Sequence, residues 1–366
     1  MLKRLWSLIK KELQVQLFDR NSRMMIIMPV FLNVCVFPFA ATLEVKNINI
    51  GIYNQDSGIS STRLIEQFAG SKVFHKINYL YNERDIKNAI DNQKVLAVVV
   101  FQNDFSKNMQ SNSPTKLQIL MDGRRSNASQ IILSYITNII YRYDISLSVK
   151  KLDRPKTVGT NWFNPNLNYK WFVLPSFIAF MATVGCMVVT TMSIAREREQ
   201  GTFDQLLVSP LTSIYIMIGK MIPAIIISTL QSSVLIFTSI MFYKIHFQGS
   251  LLLLYICIIC YGFSLSGVGL LISSVCQTQQ QALIGIFGFM IPAVLLSGFI
   301  APVENMPEVL QYIAWFNPMS HFLVISKGIY LKGLSLMDTW INLWPLLLMG
   351  VTLNLFAYLR FRKYSR

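Results

Sequence analysis

From Phe247 to Val303 the chain carries no Asp, Glu, Lys or Arg. A bilayer crossing takes roughly 20 apolar residues, so this run is too long for one span. The polar break Cys276-Gln277-Thr278-Gln279-Gln280-Gln281 divides it into spans near Leu251–Val275 and Ala282–Ile300. Four more uncharged runs, Met24–Leu43, Phe172–Ala195, Met221–Tyr243 and Thr339–Leu359, bring the expected number of transmembrane helices to six. Closed membrane barrels alternate over about 10 residues per strand, and these runs do not alternate. Only 14% of the 366 residues are charged, against about 25% in an ordinary soluble domain. The sequence predicts an α-helical integral membrane protein with an α/β extracytoplasmic domain between its first and second spans.

The first apolar run exceeds the usual 7–15 residues of a signal-peptide core, and no A-x-A-like site precedes Glu44-Val45-Lys46. It is expected to be retained. The net charge of +15 is concentrated at the ends: Lys3, Arg4, Lys10, Lys11, Arg20 and Arg23 precede the first span, and Arg360, Arg362, Lys363 and Arg366 follow the last. An even number of spans places both termini on one side, which the positive-inside rule makes cytoplasmic. Orientation and contact with membrane lipid explain the basicity, and no nucleic-acid partner is implied.

The expected organisation follows. Residues 1–23 form a cytoplasmic amphipathic helix at the membrane interface, with Leu2, Leu5, Trp6, Ile9, Leu13 and Leu17 on one side. Residues 24–43 form the first span and residues 44–171 the extracytoplasmic domain. Residues 172–366 form a five-helix membrane domain with an inner loop at 196–213 and external short helices at 304–332. In the extracytoplasmic segment, Ile48–Tyr53, Val95–Phe101 and Lys116–Met121 read as strands, while Thr62–Ala69, Ile86–Asn92 and a long stretch from Ser126 read as helices. Asp122-Gly123-Arg124-Arg125 is read either as an anion site or as a strand-ending turn. Trp162, Pro165 and Trp171 mark a loop returning to the interface. Glu308–Phe316 and Ser320–Tyr330 are two short helices, read either as an external lid or as a packed connector.

Chemistry-bearing motifs are missing. The Gly219-Lys220 pair has Ile214 and Met221 where a phosphate loop needs Gly and Ser or Thr. No zinc-protease motif and no Gly-x-Ser-x-Gly turn occurs. Cys257-x-x-Cys260 has half-site spacing for zinc or redox work, but it has no second pair and no nearby His, so packing is the expected role. No catalytic or metal site is predicted. The six spans hold no Asp or Glu, the usual mark of ion-driven transport. Such a chain needs outside power.

One segment offers a way to receive it. Arg196-Glu197-Arg198-Glu199-Gln200-Gly201-Thr202-Phe203-Asp204-Gln205-Leu206-Leu207 joins two spans and carries charge, a glycine bend and an apolar ridge continued by Val208. Side-chain pairing along its surface, Arg196 with Glu199 and Arg198 with Thr202, is expected from helical spacing. A ridge beside a polar face favours docking of a soluble partner over a plain solvated loop.

The same segment, extended from Ala195 to Leu211, resembles the signature loop of permease subunits of ABC-2 type exporters, especially the bacterial YbhR-like multidrug efflux permeases. Phe37–Glu44, Asn164-Pro165-Asn166-Leu167, Tyr169-Lys170-Trp171-Phe172, Cys276–Ala282, Leu296-Ser297-Gly298 and Pro302–Pro307 agree with that resemblance over nearly the whole chain. The resemblance implies a half-transporter of a bacterial inner membrane that pairs with a second permease copy or a paralogous one. ABC ATPase subunits would bind below it, holding ATP and Mg that this chain does not bind. A periplasmic adaptor and an outer-membrane channel would complete the path. Loop 196–213 would be the coupling helix, with Arg196, Glu197, Arg198, Glu199, Gly201, Thr202, Asp204, Gln205 and Leu206 coupling to the ATPase. Substrates would be drugs or other amphiphiles, with lipid or glycan export as a variant. A ligand-sensing receptor signalling through the same loop is the reading from another class. A membrane enzyme is a third, disfavoured by the missing acid–base cluster. Asn33, Gln231, Ser232, Ser264 and Ser266 are polar within spans, and either line a pathway or bond between helices.

Overall fold

The stretch Ala97-Val98-Val99-Val100-Phe101 is buried at every position, which only a central strand covered on both faces requires. The computed structural model describes residues 2–36, 48–71, 73–111, 113, 115–148, 169–208 and 212–364. They fall into two compact units, one of residues 42–159 and one of residues 1–41 with 160–366. The motifs expected at Phe37–Glu44 and Asn164–Leu167, the end of the 24–43 run and Ser209–Leu211 lie outside the described residues.

The 42–159 unit is built on a sheet ordered β2-β1-β3-β4, with β1 Ile48–Asn54, β2 Phe74–Leu80, β3 Ala97–Phe101 and β4 Gln118–Met121. β1 runs parallel to β2 and β3, and β4 is antiparallel to β3, Val98 pairing with Leu120. Leu64 and Phe68 of one helix (Ile59–Ala69) and Ile132 and Ile136 of another (Ser126–Ser148) cover Ile50, Ile52 and Val99. Ile86 and Ala89 of a third (Glu83–Asp91) cover Val98 and Val100 on the opposite face. Strand β2 is absent from the sequence reading. It is an edge strand whose burial does not alternate cleanly, and its register with β1 shifts between Ile48 and Asn49. Arg124 is spent locally: its guanidinium donates to the Asp122 carboxylate at 2.8 and 3.0 Å and to the Ile90 carbonyl at 2.7 Å. That is the strand-ending turn of the two readings.

The other unit is helical. In chain order its helices are α1 Leu2–Phe18, α2 Arg20–Cys35, α3 Tyr169–Glu199, α4 Phe203–Val208, α5 Ser213–Met241, α6 Leu251–Val275, α7 Gln279–Leu296, α8 Glu308–Trp315, α9 Pro318–Lys327 and α10 Leu336–Tyr364. Among the described residues, five helices are long and apolar enough to cross a membrane: α3, α5, α6, α7 and α10. The apolar part of α2, Ser22–Cys35, is shorter. α3 is the axis, with 83% of its most apolar window buried, whereas α7 has 17%. Small and hydroxylated residues let the axis pack closely. A Cβ on Gly269 of α6 would stand 1.9 Å from Thr190 Oγ1 of α3. Across the same seam Thr183 and Tyr261 hydroxyls lie 2.6 Å apart, and Ser273 donates to the Thr191 carbonyl at 2.8 Å. Such bonds are worth about 1 kcal/mol or less each in a bilayer, so close packing carries most of the seam's stability.

Helix α1 buries a face that only partly coincides with the expected apolar stripe. Its buried face is Leu8, Ile9, Glu12 and Gln16, while Trp6 and Leu17 of the expected apolar stripe are exposed. The helix packs on α5, with Leu8 filling the space left by Gly219. Polar Glu12 faces inward because a buried cation, Lys220, meets its carboxylate there.

Candidate functional site

Lys220 lies about two turns into α5 with its side chain fully buried. Its ammonium stands 2.7 Å from Glu197 Oε2 and 3.2 Å from Glu12 Oε1, and donates to Ser193 Oγ at 2.9 Å. Glu197 Oε1 accepts from Lys11 Nζ at 2.9 Å, and Ser193 donates to Glu12 Oε2 at 2.7 Å. Two lysines and two glutamates from α1, α3 and α5 thus neutralise one another. Burying any one of them alone would cost several kcal/mol. Burial draws the Lys11 ammonium down, but the Glu197 carboxylate outweighs it and leaves the group raised.

Arg196, one residue earlier, reaches α2. Its guanidinium bonds the Ser22 hydroxyl and lies 3.5 Å from Asp19 Oδ2. Asp19 is also the N-cap of α2, accepting from Ser22 N at 2.9 Å, and that bond holds its carboxyl below the usual range.

The next two residues turn the other way. Arg198 donates to the carbonyls of Ser274 and Cys276 at 3.0 Å each, where α6 ends. Glu199 accepts from the backbone N–H of Gln279 at 3.0 Å, where α7 begins. A cation at a helix C-terminus and an anion at an N-terminus each match the sign of the exposed backbone dipoles. Adjacent side chains therefore clamp the α6–α7 junction from both ends.

The backbone then reverses. Thr202 N–H donates to the Glu197 carbonyl at 2.9 Å and Gly201 N–H to that of Arg198 at 3.1 Å, with Gly201 at φ 68°. This is a Schellman termination of α3, which calls for a residue without Cβ at Gly201. α4 follows at once. Phe203 is buried on Phe361 with ring centroids 5.6 Å apart, and the Arg198 guanidinium lies 4.9 Å from its ring centre. Gln205 and Val208 are exposed, Val208 at 85%. Asp204 and Leu206 lie on α4, with side chains outside the described residues. A cavity of about 380 Å³ opens between α1 and this loop, lined by Lys11, Arg196, Gln200, Thr202 and Gln205.

The expected surface pairs of Arg196 with Glu199 and of Arg198 with Thr202 are not made. Each charge has a partner on another helix, because burial at the end of α3 rewards long-range pairing over solvated pairs along one face. The intramembrane polar residues are not gathered in one place. Gln231 donates to the Ile26 carbonyl of α2 at 2.8 Å. Asn33, Ser232 and Ser266 donate within their own helices, and the buried Ser264 hydroxyl has no hydrogen-bond partner. Sequence reasoning missed Glu12, Ser193 and Lys220. The available signal was Lys220, a lone cation beside a membrane-length run.

Membrane-length helices closed at one end by a charged, ion-paired turn define a multi-spanning membrane protein with a built surface outside the apolar zone. The chain belongs to the ABC-2 transporter family: the profile described as ABC-2 family transporter protein matches residues 22–359. Over 99% of both chains it is 49% identical to the probable multidrug ABC transporter permease YbhR of Escherichia coli K12. It is 26% identical to the inner membrane transport permease YhhJ of the same strain, over 99% of this chain and 98% of that one. To the probable multidrug ABC transporter permease YbhS it is 24% identical, over 90% and 89% respectively.

Proposed function

We propose that this chain is the membrane-spanning permease subunit of an ATP-driven exporter of drugs or other amphiphiles, and that loop 196–213 is its coupling element. A separate ABC ATPase binds ATP and Mg, and its closure presses on α4. The observation that carries this reading is the clamp made by Arg198 and Glu199, through which a push on α4 reaches the α6–α7 junction. Differential binding of ATP to two states of the ATPase supplies the work. Residues 24–43 supply a sixth span, both termini are cytoplasmic, and the 42–159 unit is extracytoplasmic. Two such chains, or this chain and a paralogue, form the complete pore, with an adaptor and an outer-membrane channel beyond it. The names of the relatives, multidrug permeases among them, support this reading.

The test is purification of the chain from its native membrane, with identification of whatever accompanies it. An ABC ATPase whose hydrolysis rises with an amphiphilic drug supports the proposal. A chain that exports cargo alone, or that brings no ATPase, contradicts it.

A further inference from the structure

An apolar groove of about 420 Å³ runs between α2 and α5 of the helical unit and takes no part in the proposed coupling. Ile27, Val30 and Val34 of α2 form one wall, and Ile227, Leu230 and Val234 of α5 form the other. Two hydrogen bonds fix the walls to each other. Gln231 Nε2 donates to the Ile26 carbonyl at 2.8 Å, and the Tyr243 hydroxyl donates to the Val34 carbonyl at 2.9 Å. A groove held at two levels keeps its shape without a guest, which lowers the ordering cost of binding one. Its volume lies within the roughly 300–1,000 Å³ of small-molecule sites.

Charge at one end of the groove says what fills it. Arg20, Arg23, Ile27, Val30 and Val34 follow one another at steps of three and four residues, so two cations and three wall residues share one face of α2. Both arginines are exposed. The bond from Arg196 to Ser22 sets this end of α2 beside the last turn of α3, where the charges of that helix begin. From Arg23 to Val34 the helix rises about 16 Å, close to half of a hydrocarbon core roughly 30 Å thick. The face therefore has the length of one leaflet, cationic at the surface and apolar to mid-depth. Leu17, at the mouth of the groove, ends a face of α1 that also exposes Lys3, Trp6 and Lys10 at helical spacing. Clustered Lys and Arg beside a span attract anionic lipid headgroups, and a Trp among them suits the interface. The nearby Asp19 carboxylate is turned to Arg196 and to the Ser22 N–H that it caps. A soluble protein reaches the arginines but not the apolar wall below them. A second copy, related by an axis along the membrane normal, would set its own arginines at the same level, like charge against like.

We propose that this groove binds one anionic phospholipid of the cytoplasmic leaflet. Its phosphate lies at Arg20 and Arg23, and one acyl chain fills the groove against Val30 and Leu230, joining α2 to α5. The inference rests on the reading of residues 24–43 as a span that starts in the cytoplasm, and not on the coupling reading.

The test is native mass spectrometry of the full chain in dodecyl maltoside, titrated with phosphatidylglycerol and, in parallel, with phosphatidylcholine of the same acyl chains. Saturable retention of one phosphatidylglycerol per chain is expected, tighter than phosphatidylcholine by about tenfold or more. Arg20→Gln with Arg23→Gln should weaken it by about tenfold or more, whereas Arg20→Lys with Arg23→Lys should retain it. Arg84→Gln with Lys87→Gln, which removes the same charge from the other unit, should leave it unchanged. Val30→Trp and Leu230→Trp fill the groove from opposite walls, and each that unfolds at the wild-type temperature should lose retention as the Arg→Gln pair does. Equal retention of the two lipids, or wild-type retention of phosphatidylglycerol by the Arg→Gln pair, would overturn the proposal. So would oxidative cross-linking of two chains through Cys35, the exposed cysteine in the groove, which would put a second copy on this face. A phosphatase reporter fused after residue 46 is active only if residues 24–43 cross the membrane, so it reads the span separately. Because the binding assay contains no nucleotide or ATPase, its failure leaves the coupling proposal standing.

Discussion

Lys220 and Glu197 form a buried ion pair of 2.7 Å between the foot of α5 and the last turn of α3. The same Lys220 also holds Glu12 of α1 at 3.2 Å, so one ammonium joins three helices. Removing one member of a buried charge set strands the others, at about 3–5 kcal/mol. Lys220→Met is therefore expected to lower the unfolding free energy in detergent by about that amount. Lys220→Met combined with Glu197→Leu removes charges of both signs and should recover more than half the loss. Thermal and denaturant unfolding of the three proteins measure this directly.

Gly201 sits at φ 68°, where a Cβ is strained. Gly201→Ala should cost about 1 kcal/mol, and Gly201→Pro should in addition lose the Gly201 N–H bond to Arg198 and disrupt the turn. Both variants should insert into membranes normally. Drug-stimulated hydrolysis in the assembled complex should fall moderately for Gly201→Ala and vanish for Gly201→Pro.

The clamp at the α6–α7 junction separates transmission from docking. Glu199→Gln keeps an acceptor oxygen for Gln279 N–H, whereas Glu199→Ala does not. Basal hydrolysis and ATPase binding should survive in both, because Glu199 is used on α7. Drug-stimulated hydrolysis should fall several-fold in Glu199→Ala and much less in Glu199→Gln. Equal loss in both, with weakened ATPase binding, would place Glu199 at the docking surface instead.

Asp19 gives a pH dependence of known sign. Its folded carboxyl lies below the unfolded value of about 3.9. Its contribution is therefore complete above that value and is lost as pH falls through the folded one. Asn is also a good N-cap but does not titrate in this range. The difference in melting temperature between wild type and Asp19→Asn should be flat from pH 8 to about 5 and shift against wild type below about 4.

Much of the helical unit was legible because lipid imposes length. The break between α6 and α7 follows from the polar residues at 276–281, and the end of α3 from a glycine after a charged run. The site's partners were not legible. Glu12 and Ser193, or Arg198 and Cys276, meet only after distant helices pack, and no local pattern encodes that meeting. The inward face of α1 was not legible for the same reason: Lys220, distant in sequence, meets Glu12 there. In the sheet, fully buried β3 was readable, while edge strand β2 lacked the alternation that would have marked it.

The central claim is that a soluble ATPase grips the α4 end of this chain. Val208, 85% exposed at the end of α4, is the place to ask. A photo-crosslinking amino acid at position 208, in membranes containing the whole complex, should yield an adduct with the ABC ATPase subunit whose amount changes when ATP is added. An ATPase adduct missing in both conditions, together with labelling of Val208→Cys by an impermeant thiol reagent from outside intact cells, would contradict it.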